Sequence, residues 1–250
     1  DTRVHVHCVL AEALWFAGRS VESRSELDGA VDLAMQMRQP YAQVWALYQV
    51  AFLNHMQGDF GAMLEAAERV IEIGMEKGIQ FFLPLGLFFA STQIPDPDER
   101  IRTMVAEHEK TMLTGARAGS TYLKCMIVEE QLSQNMLEDA QSRLEEVRHL
   151  FETTSEMLWK SELIRLETLL QLKRGELGRE QAAEAFRGAI KSAVDIGVKP
   201  FALRAALTLC DHLKGSDTAV ATLSDIINSY PVPDTTTEYI RARDIIAATS

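Results

Sequence analysis

Apolar side chains recur along this chain at steps of three and four residues. In the stretch QGDFGAMLEAAERVIEIG, which runs from Gln57 to Gly74, the side chains of Met63, Ala67 and Val70 share one helical face. Sustained period-two alternation and Asn-Gly hairpin signals do not occur. The pattern predicts an all-α protein with helices over residues 2–17, 20–36, 40–56, 60–77, 79–93, 97–115, 119–134, 137–153, 155–174, 179–196, 199–213, 216–229 and 235–248.

Three of these predicted helices begin with a capping signal. Asp96 precedes Pro97, and Glu99 follows three residues after Asp96, which is the spacing of an N-cap with a supporting acid. Asn135 and Thr235 are each followed by a glutamate at the same distance. We therefore expect all three residues to be N-caps.

The turns between helices recur at a fixed spacing. Gly18 and Gly58 are 40 residues apart, and so are Asn135 and Gly175, and Gly175 and Gly215. The turn missing from this series falls in the Ile-Pro-Asp-Pro-Asp stretch. About six helix pairs and a final helix account for the chain, which predicts an α-solenoid whose pairs bury their apolar faces by stacking.

The helix that follows the turn carries the same small-large-small motif in four pairs. The motif residues are Ser23, Leu27 and Ala30; Met63, Ala67 and Val70; Ala140, Leu144 and Val147; and Ala182, Phe186 and Ala189. Small side chains at these steps allow close helix packing, and we expect Met63, Ala67 and Val70 to face the stacked core.

The turn and the motif together resemble the tetratricopeptide repeat (TPR). The C-terminal half resembles the arrays that end bacterial multidomain ATPases, class III adenylate or guanylate cyclases and LuxR-type regulators. The stretches that carry this resemblance are LWKSELIRLETLLQLKRG (158–175), AAEAFRGAIKSAVDIGVKPFALRAALTL (182–209) and VATLSDIINSYPVPDTTTEYIRARDII (220–246). The resemblance implies a right-handed superhelix of antiparallel TPR-type pairs, and we expect a single domain over residues 1–250, cut from a longer chain.

The resemblance also implies a binding groove on the concave face, lined by the first helix of each pair. The residues that match groove positions, together with a neighbouring phenylalanine, are Glu12, Trp45, Tyr48, His55, Phe82, Tyr122, Glu129, Glu162 and Arg165. Two alternatives stay open at this point. Trp45 and Tyr48 are equally suited to a core between helices, and Glu162 with Arg165 to a structural ion pair between repeats.

Charge and cysteine content narrow the function. The 250 residues contain 25 Lys and Arg against 36 Asp and Glu, a net charge of −11, which disfavours nucleic acid as a partner. The three cysteines are far apart and form no Cys-x-x-Cys pair, which favours a reducing, cytoplasmic setting. We expect no membrane association, because the apolar runs are short and interrupted.

Catalytic and metal motifs find little support in the sequence. Phosphate-binding loops such as G-x-x-x-x-G-K-[ST] and the zinc motif H-E-x-x-H do not occur. His5 and His7 point away from each other on a helix, Cys210 and His212 do likewise, and the Glu107–Glu109 segment fits a solvated face. We therefore predict no catalytic residue, no metal site and no cofactor.

These observations favour a non-catalytic TPR-type module. Such a module would bind a protein partner or effector, or the N-terminal domains of the same polypeptide, and signal to ATPase, cyclase or DNA-binding domains outside this sequence. The alternative is a receptor whose concave groove binds a small molecule or signalling peptide. A helical enzyme is disfavoured, because no acid, base and metal set converges.

Overall fold

The computed structural model describes residues 2–115, 119–154 and 157–249, and over these residues the chain is helical with no strand. A 3₁₀ turn covers Met157–Trp159. The α-helices are α1 Thr2–Phe16, α2 Ser20–Met37, α3 Pro40–Gln57, α4 Phe60–Lys77, α5 Leu83–Ser91, α6 Pro97–Leu113, α7 Ser120–Ser133, α8 Leu137–Thr154, α9 Lys160–Lys173, α10 Arg179–Asp195, α11 Lys199–His212, α12 Asp217–Asn228 and α13 Thr237–Thr249. The all-α prediction is confirmed.

Two helices begin four or five residues later than the periodicity predicts. Helix α5 begins at Leu83 rather than residue 79, because Gly78 ends α4 in the left-handed conformation and Pro84 occupies the first turn of α5. Helix α9 begins at Lys160 after the 3₁₀ turn. Its predicted start at residue 155 lies outside the described residues.

The N-cap expected at Asp96 is present. Its carboxylate accepts hydrogen bonds from the backbone N–H groups of Asp98, at 2.9 Å, and Glu99, at 3.1 Å. These two donors would otherwise lack partners within the helix, so the cap fixes where α6 begins.

The other two expected N-caps are wrong. Asn135 has a φ of 60° and ends the turn after α7, while α8 begins two residues later at Leu137. Asparagine favours both N-caps and left-handed turns, so its position alone does not distinguish them. Thr235 precedes α13 by two residues, and its N–H donates to the Asp234 carboxylate.

The 40-residue spacing corresponds to a repeated backbone conformation. Gly18, Gly58, Asn135, Gly175 and Gly215 all adopt positive φ between 60° and 78°. Residues with a side chain rarely adopt this conformation, which explains why glycine or asparagine recurs there. Each residue lies in the connection between the first and second helix of a pair.

Helices α3 and α11, each the first helix of a pair, are more buried than the second helices α4 and α10. Twelve of the 18 residues of α3 and nine of the 14 residues of α11 are buried. Only five of 18 are buried in α4 and six of 17 in α10. The four small-large-small motifs form the buried stripe of the second helices, since all twelve residues are at most 3% exposed. The predicted core position of Met63, Ala67 and Val70 is confirmed.

The first of two compact units comprises the described parts of residues 1–15 and 19–120. Helix α3 lies at its centre and packs against α2, α4 and α5, while α5 also packs against α4 and α6. A cluster including Cys8, Ala30, Ala34 and Ala46 joins α1, α2 and α3. Consecutive helices therefore pack together throughout this unit.

The second unit comprises residues 16–18 and the described parts of 121–250. Helix α9 packs against α8, α10 and α11, and α11 packs against α12 and α13. A cluster including Cys125, Leu144, Val147 and Leu166 joins α7, α8 and α9. Within the described ranges, none of the helices is both long and apolar enough to cross a bilayer.

Gly86 and Gly29 give a matched test of the packing in the first unit. A β-carbon at Gly86 would lie 2.9 Å from Val70 and 3.0 Å from Ile71, whereas one at Gly29 meets nothing within 4 Å. We expect Gly86→Ala to lower the free energy of unfolding by about 1–3 kcal/mol through overpacking. Gly29→Ala should raise it by about 0.5–1 kcal/mol through helix propensity. Urea unfolding measures both, and an equal gain from the two substitutions would contradict this packing.

Candidate functional site

The aromatic candidates of the first unit lie in one cluster. The ring centroids of Trp45 and Tyr48 are 5.9 Å apart, and each lies 6.0 Å from the centroid of Phe82. Tyr48 and Phe82 are buried, whereas Trp45 is half-buried at the edge of the cluster. Tyr48 and Phe82 therefore pack as core between α3 and the start of α5, and Trp45 joins that core to the surface.

Glu12 and His55 flank the same cluster. Burial raises the pKa of the half-buried Glu12 carboxyl. Burial also raises the pKa of Tyr48, and the nearby Glu12 charge raises it further, so the phenol stays protonated. The His55 ring packs 5.6 Å from Phe60 and 6.0 Å from Phe89. His55 therefore packs against the edge of the cluster, and Glu12 acts on Tyr48 through its charge.

A cavity of about 270 Å³ opens beside Trp45. It lies between α1 and α3 and is lined by Val4, His5, Tyr41, Ala42 and Trp45. The His5 ring lies 5.4 Å from that of Trp45, and Tyr41 is 59% exposed. The size and the lining suit one apolar or aromatic side chain of a ligand, since whole small-molecule pockets span roughly 300–1,000 Å³.

The charged candidates of the second unit form a network that joins four helices. Arg165 on α9 donates to Glu162 through Nη2 at 2.8 Å and Nε at 3.2 Å, and it also pairs with Glu129 on α7. Arg204 on α11 contacts Glu162 at 3.3 Å and donates through Nε to Glu238 on α13 at 2.7 Å. Glu162 is thus shared by two guanidinium groups.

The carboxylates of this network differ in their burial and in the direction of their pKa shifts. The side chain of Glu162 is only 1% exposed, whereas that of Glu129 is 43% exposed. Burial by itself would raise the pKa of Glu162, but the charges of Arg165 and Arg204 hold it below its ordinary value. Burial raises the pKa of Glu238 despite its bond to Arg204.

Tyr122 lies next to the network as part of an aromatic stack. Its ring stacks on Trp159 with centroids 5.1 Å apart, and Trp159 lies 5.4 Å from Phe201. Burial raises the pKa of the Tyr122 phenol above its ordinary value.

The geometry favours the structural alternative for Glu162 and Arg165, and a binding role for these residues stays a prediction.

The expectation of a solvated face at Glu107–Glu109 is wrong for its first two residues. Glu107 and His108 are buried, and His108 Nε2 lies 3.1 Å from Ser120 Oγ. The buried face of α6 continues at helical steps from Ile101 and Met104 to these polar residues. The charged and polar residues at these positions therefore belong to the face of α6 that packs inside the protein.

The remaining ligand-type and nucleophile-type residues have separate partners. His7 Nδ1 lies 2.7 Å from Glu26 Oε2, and His212 Nε2 donates to the carbonyl of Arg179 at 2.7 Å. Cys8 and Cys210 are buried. Across the described ranges, we find no group of three or more His, Cys, Asp or Glu residues placed to bind a metal.

Several residues of these sites were not candidates from the sequence. Arg204 and Glu238 complete the network. The sequence did carry a signal for Arg204, because it is the one charged residue in the largely apolar stretch PFALRAALTLC. Tyr41 also lines the cavity, and the signal for it was its position one turn before Trp45 on the same helix.

Comparison with protein-family models finds no match, and comparison with curated proteins finds none either. The fold and these sites define an all-α protein of consecutively packed helices.

Glu162 and Glu129 allow a matched test of the network. Glu162→Gln leaves two enclosed guanidinium groups without their shared counter-charge, so we expect a loss of about 3–5 kcal/mol in unfolding free energy at neutral pH. Glu129→Gln removes an exposed partner and should cost about 1 kcal/mol or less. Urea unfolding of both variants at neutral pH measures the difference, and equal losses would contradict the burial argument.

The pH dependence of the same pair has a definite sign. Because the folded-state pKa of Glu162 is lowered, its contribution is complete above its unfolded pKa of about 4.3 and disappears as pH falls through the folded value. The stability gap between the native chain and Glu162→Gln should therefore narrow in acid. Unfolding followed from neutral to acidic pH tests this, and a gap that widens in acid would contradict the assignment.

The three thiols should be unreactive in the folded chain. Burial raises the pKa of Cys8 to about 12 and raises the pKa values of Cys125 and Cys210. We expect slow reaction with DTNB at about pH 8 in buffer, and rapid release of three equivalents in guanidinium chloride, because the thiolate is the reacting form. One rapid equivalent in the folded chain would identify an activated cysteine and contradict this expectation.

Proposed function

We propose that this chain is a non-catalytic helical-repeat module of TPR type. Its helix pairs stack as an α-solenoid of about six pairs, and the surface of its first helices binds a protein or peptide partner. Binding is signalled to ATPase, cyclase or DNA-binding domains outside this sequence. The repeating turn conformation and the contrast in burial between first and second helices support the repeat architecture.

The aromatic cavity beside Trp45 is the observation that carries the binding proposal. It lies at a first-helix position that the TPR resemblance marks as a groove residue, and it combines an exposed Tyr41 with a half-buried indole. Aromatic side chains of this kind dominate the energy of many protein interfaces. The cavity therefore suits an anchor residue of a bound peptide.

A receptor for a small molecule or signalling peptide is the alternative function. The apolar part of the lining, formed by Val4, Ala42 and Trp45, favours it, because an open cavity of this size accepts a small apolar group without any extended interface. Ligand size distinguishes the two functions. A receptor binds the isolated small molecule, whereas a partner-binding module requires flanking peptide contacts.

The non-catalytic proposal is supported by the state of the reactive side chains. The buried thiols have raised pKa values, and His212 is engaged by a backbone carbonyl rather than by the Cys210 thiol. The guanidinium groups of Arg165 and Arg204 are directed at carboxylates of the same unit. These groups stabilise the fold instead of facing a reactant.

Peptides selected on the purified chain from a phage-displayed random library should identify the binding surface. We expect Tyr41→Ala and Trp45→Ala to weaken the selected peptides roughly tenfold or more, because each removes an aromatic wall of the cavity. Phe60→Ala is the matched control, since Phe60 is an exposed aromatic outside the cavity lining. Fluorescence anisotropy measures the affinities, and circular dichroism checks folding.

Two outcomes would contradict the proposal. If Phe60→Ala and Trp45→Ala weakened peptide binding equally, the cavity would not be part of the binding surface. Turnover of ATP by the purified chain would contradict the non-catalytic assignment.

A further inference from the structure

A second concave surface lies between α2 and α4, away from the Trp45 cavity. It has a volume of about 470 Å³, within the usual range for ligand sites. Its floor is Val31, Leu47, Val50, Ala62 and Ala66, and its rim is Asp28, Asp32, Glu65 and Arg69. We call this surface the α2–α4 groove.

Two contacts mark the ends of the α2–α4 groove. Arg24 near the start of α2 pairs with Asp59 before α4 at 3.5 Å, and Arg69 of α4 contacts the Met35 sulfur of α2 at 4.0 Å. The two helices therefore run in the same direction along the groove. The 11 residues from Arg24 to Met35 span about 16 Å, the length of three helical turns.

The walls of the groove carry most of the charge around it. Helices α2 and α4 together contain eight carboxylates against three basic side chains, whereas α3, which contributes to the floor, contains no Lys, Arg, Asp or Glu. Asp28 and Asp32 are one turn apart on α2, and Glu65 faces the same cavity from α4. An apolar floor thus lies between acidic walls, with an arginine at each end.

We propose that the α2–α4 groove docks a basic amphipathic helix of about three turns. Aliphatic side chains of the partner pack on Val31 and Val50, and Lys or Arg side chains near its middle pair with Asp28, Asp32 and Glu65. Arg24 and Arg69 repel basic residues at the partner's ends, so its positive charge is central. The charged walls of this surface belong to second helices, outside the first-helix surface assigned to partner binding, so the proposal goes beyond the proposed function.

Charge complementarity distinguishes this occupant from others. A second copy of the chain carries a net charge of −11 and would be repelled by the acidic walls, as would a nucleic acid. A polyamine matches the carboxylates but leaves the apolar floor uncovered. A helix with aliphatic and basic faces satisfies both the floor and the walls.

The probe is a fluorescein-labelled synthetic helix of about 14 residues, which is three turns with a short flank at the ends, with leucines at helical spacing and lysines at the central polar positions. Fluorescence anisotropy at physiological ionic strength measures its affinity. Asp28→Asn with Asp32→Asn should weaken binding roughly tenfold or more, because two facing carboxylates are lost. Asp139→Asn with Glu145→Gln is the matched control on α8, with the same change in net charge at exposed positions. It should change affinity less than about twofold.

Further variants separate this site from the proposed function. Val50→Arg places a cation in the floor and should abolish binding of the lysine helix, with folding checked by circular dichroism. The Asp28 and Asp32 variants test the proposal even if Val50→Arg unfolds, because both aspartates are exposed. Trp45→Ala should leave the lysine helix bound, so failure of the Trp45 cavity and failure of this groove give different results.

Several results would overturn the proposal. Equal weakening by the α2 and α8 double variants would show diffuse attraction to an acidic protein. Equal affinity for a control peptide with glutamates in place of the lysines would show that the groove does not recognise positive charge. Binding of spermine that depends on Asp28 and Asp32, without binding of the helix, would make a polyamine the occupant.

Discussion

The first helix of a pair must be covered on more than one side, and the rest of the structure depends on this constraint. Helix α3 has no Lys, Arg, Asp or Glu, and two thirds of its residues are buried. Its own second helix, α4, covers one side, while α2 and α5 cover others. The second helices need only one narrow apolar stripe, so they carry the charge. The same division places an apolar floor between acidic walls at the α2–α4 groove.

Charged side chains that are buried on the first helices of the second unit each need an oppositely charged side chain beside them. Glu162, Arg165 and Arg204 occupy α9 and α11, which are largely enclosed, and they satisfy one another together with Glu129 and Glu238. Such pairs add little net stability over apolar packing, but one missing partner is costly. The network therefore penalises any packing of α7, α9, α11 and α13 that separates these charges.

Features decided by neighbouring residues could be predicted from the sequence, whereas features decided between helices could not. Helix periodicity, the Asp96 cap and the turn glycines depend on a few adjacent residues, and they were predicted correctly. Asn135 failed because asparagine suits two local conformations. The burial of His108 and the cavity beside Trp45 depend on distances between helices, which residue spacing does not encode.

Amide hydrogen exchange along the chain tests the repeat most directly. Because first helices are enclosed and the left-handed turns lie at 40-residue spacing, slow exchange should peak within α3, α7, α9 and α11. Minima should fall at Gly18, Gly58, Asn135, Gly175 and Gly215. Protection that is uniform along the chain, or that is highest in the second helices, would contradict a structure built from repeated helix pairs.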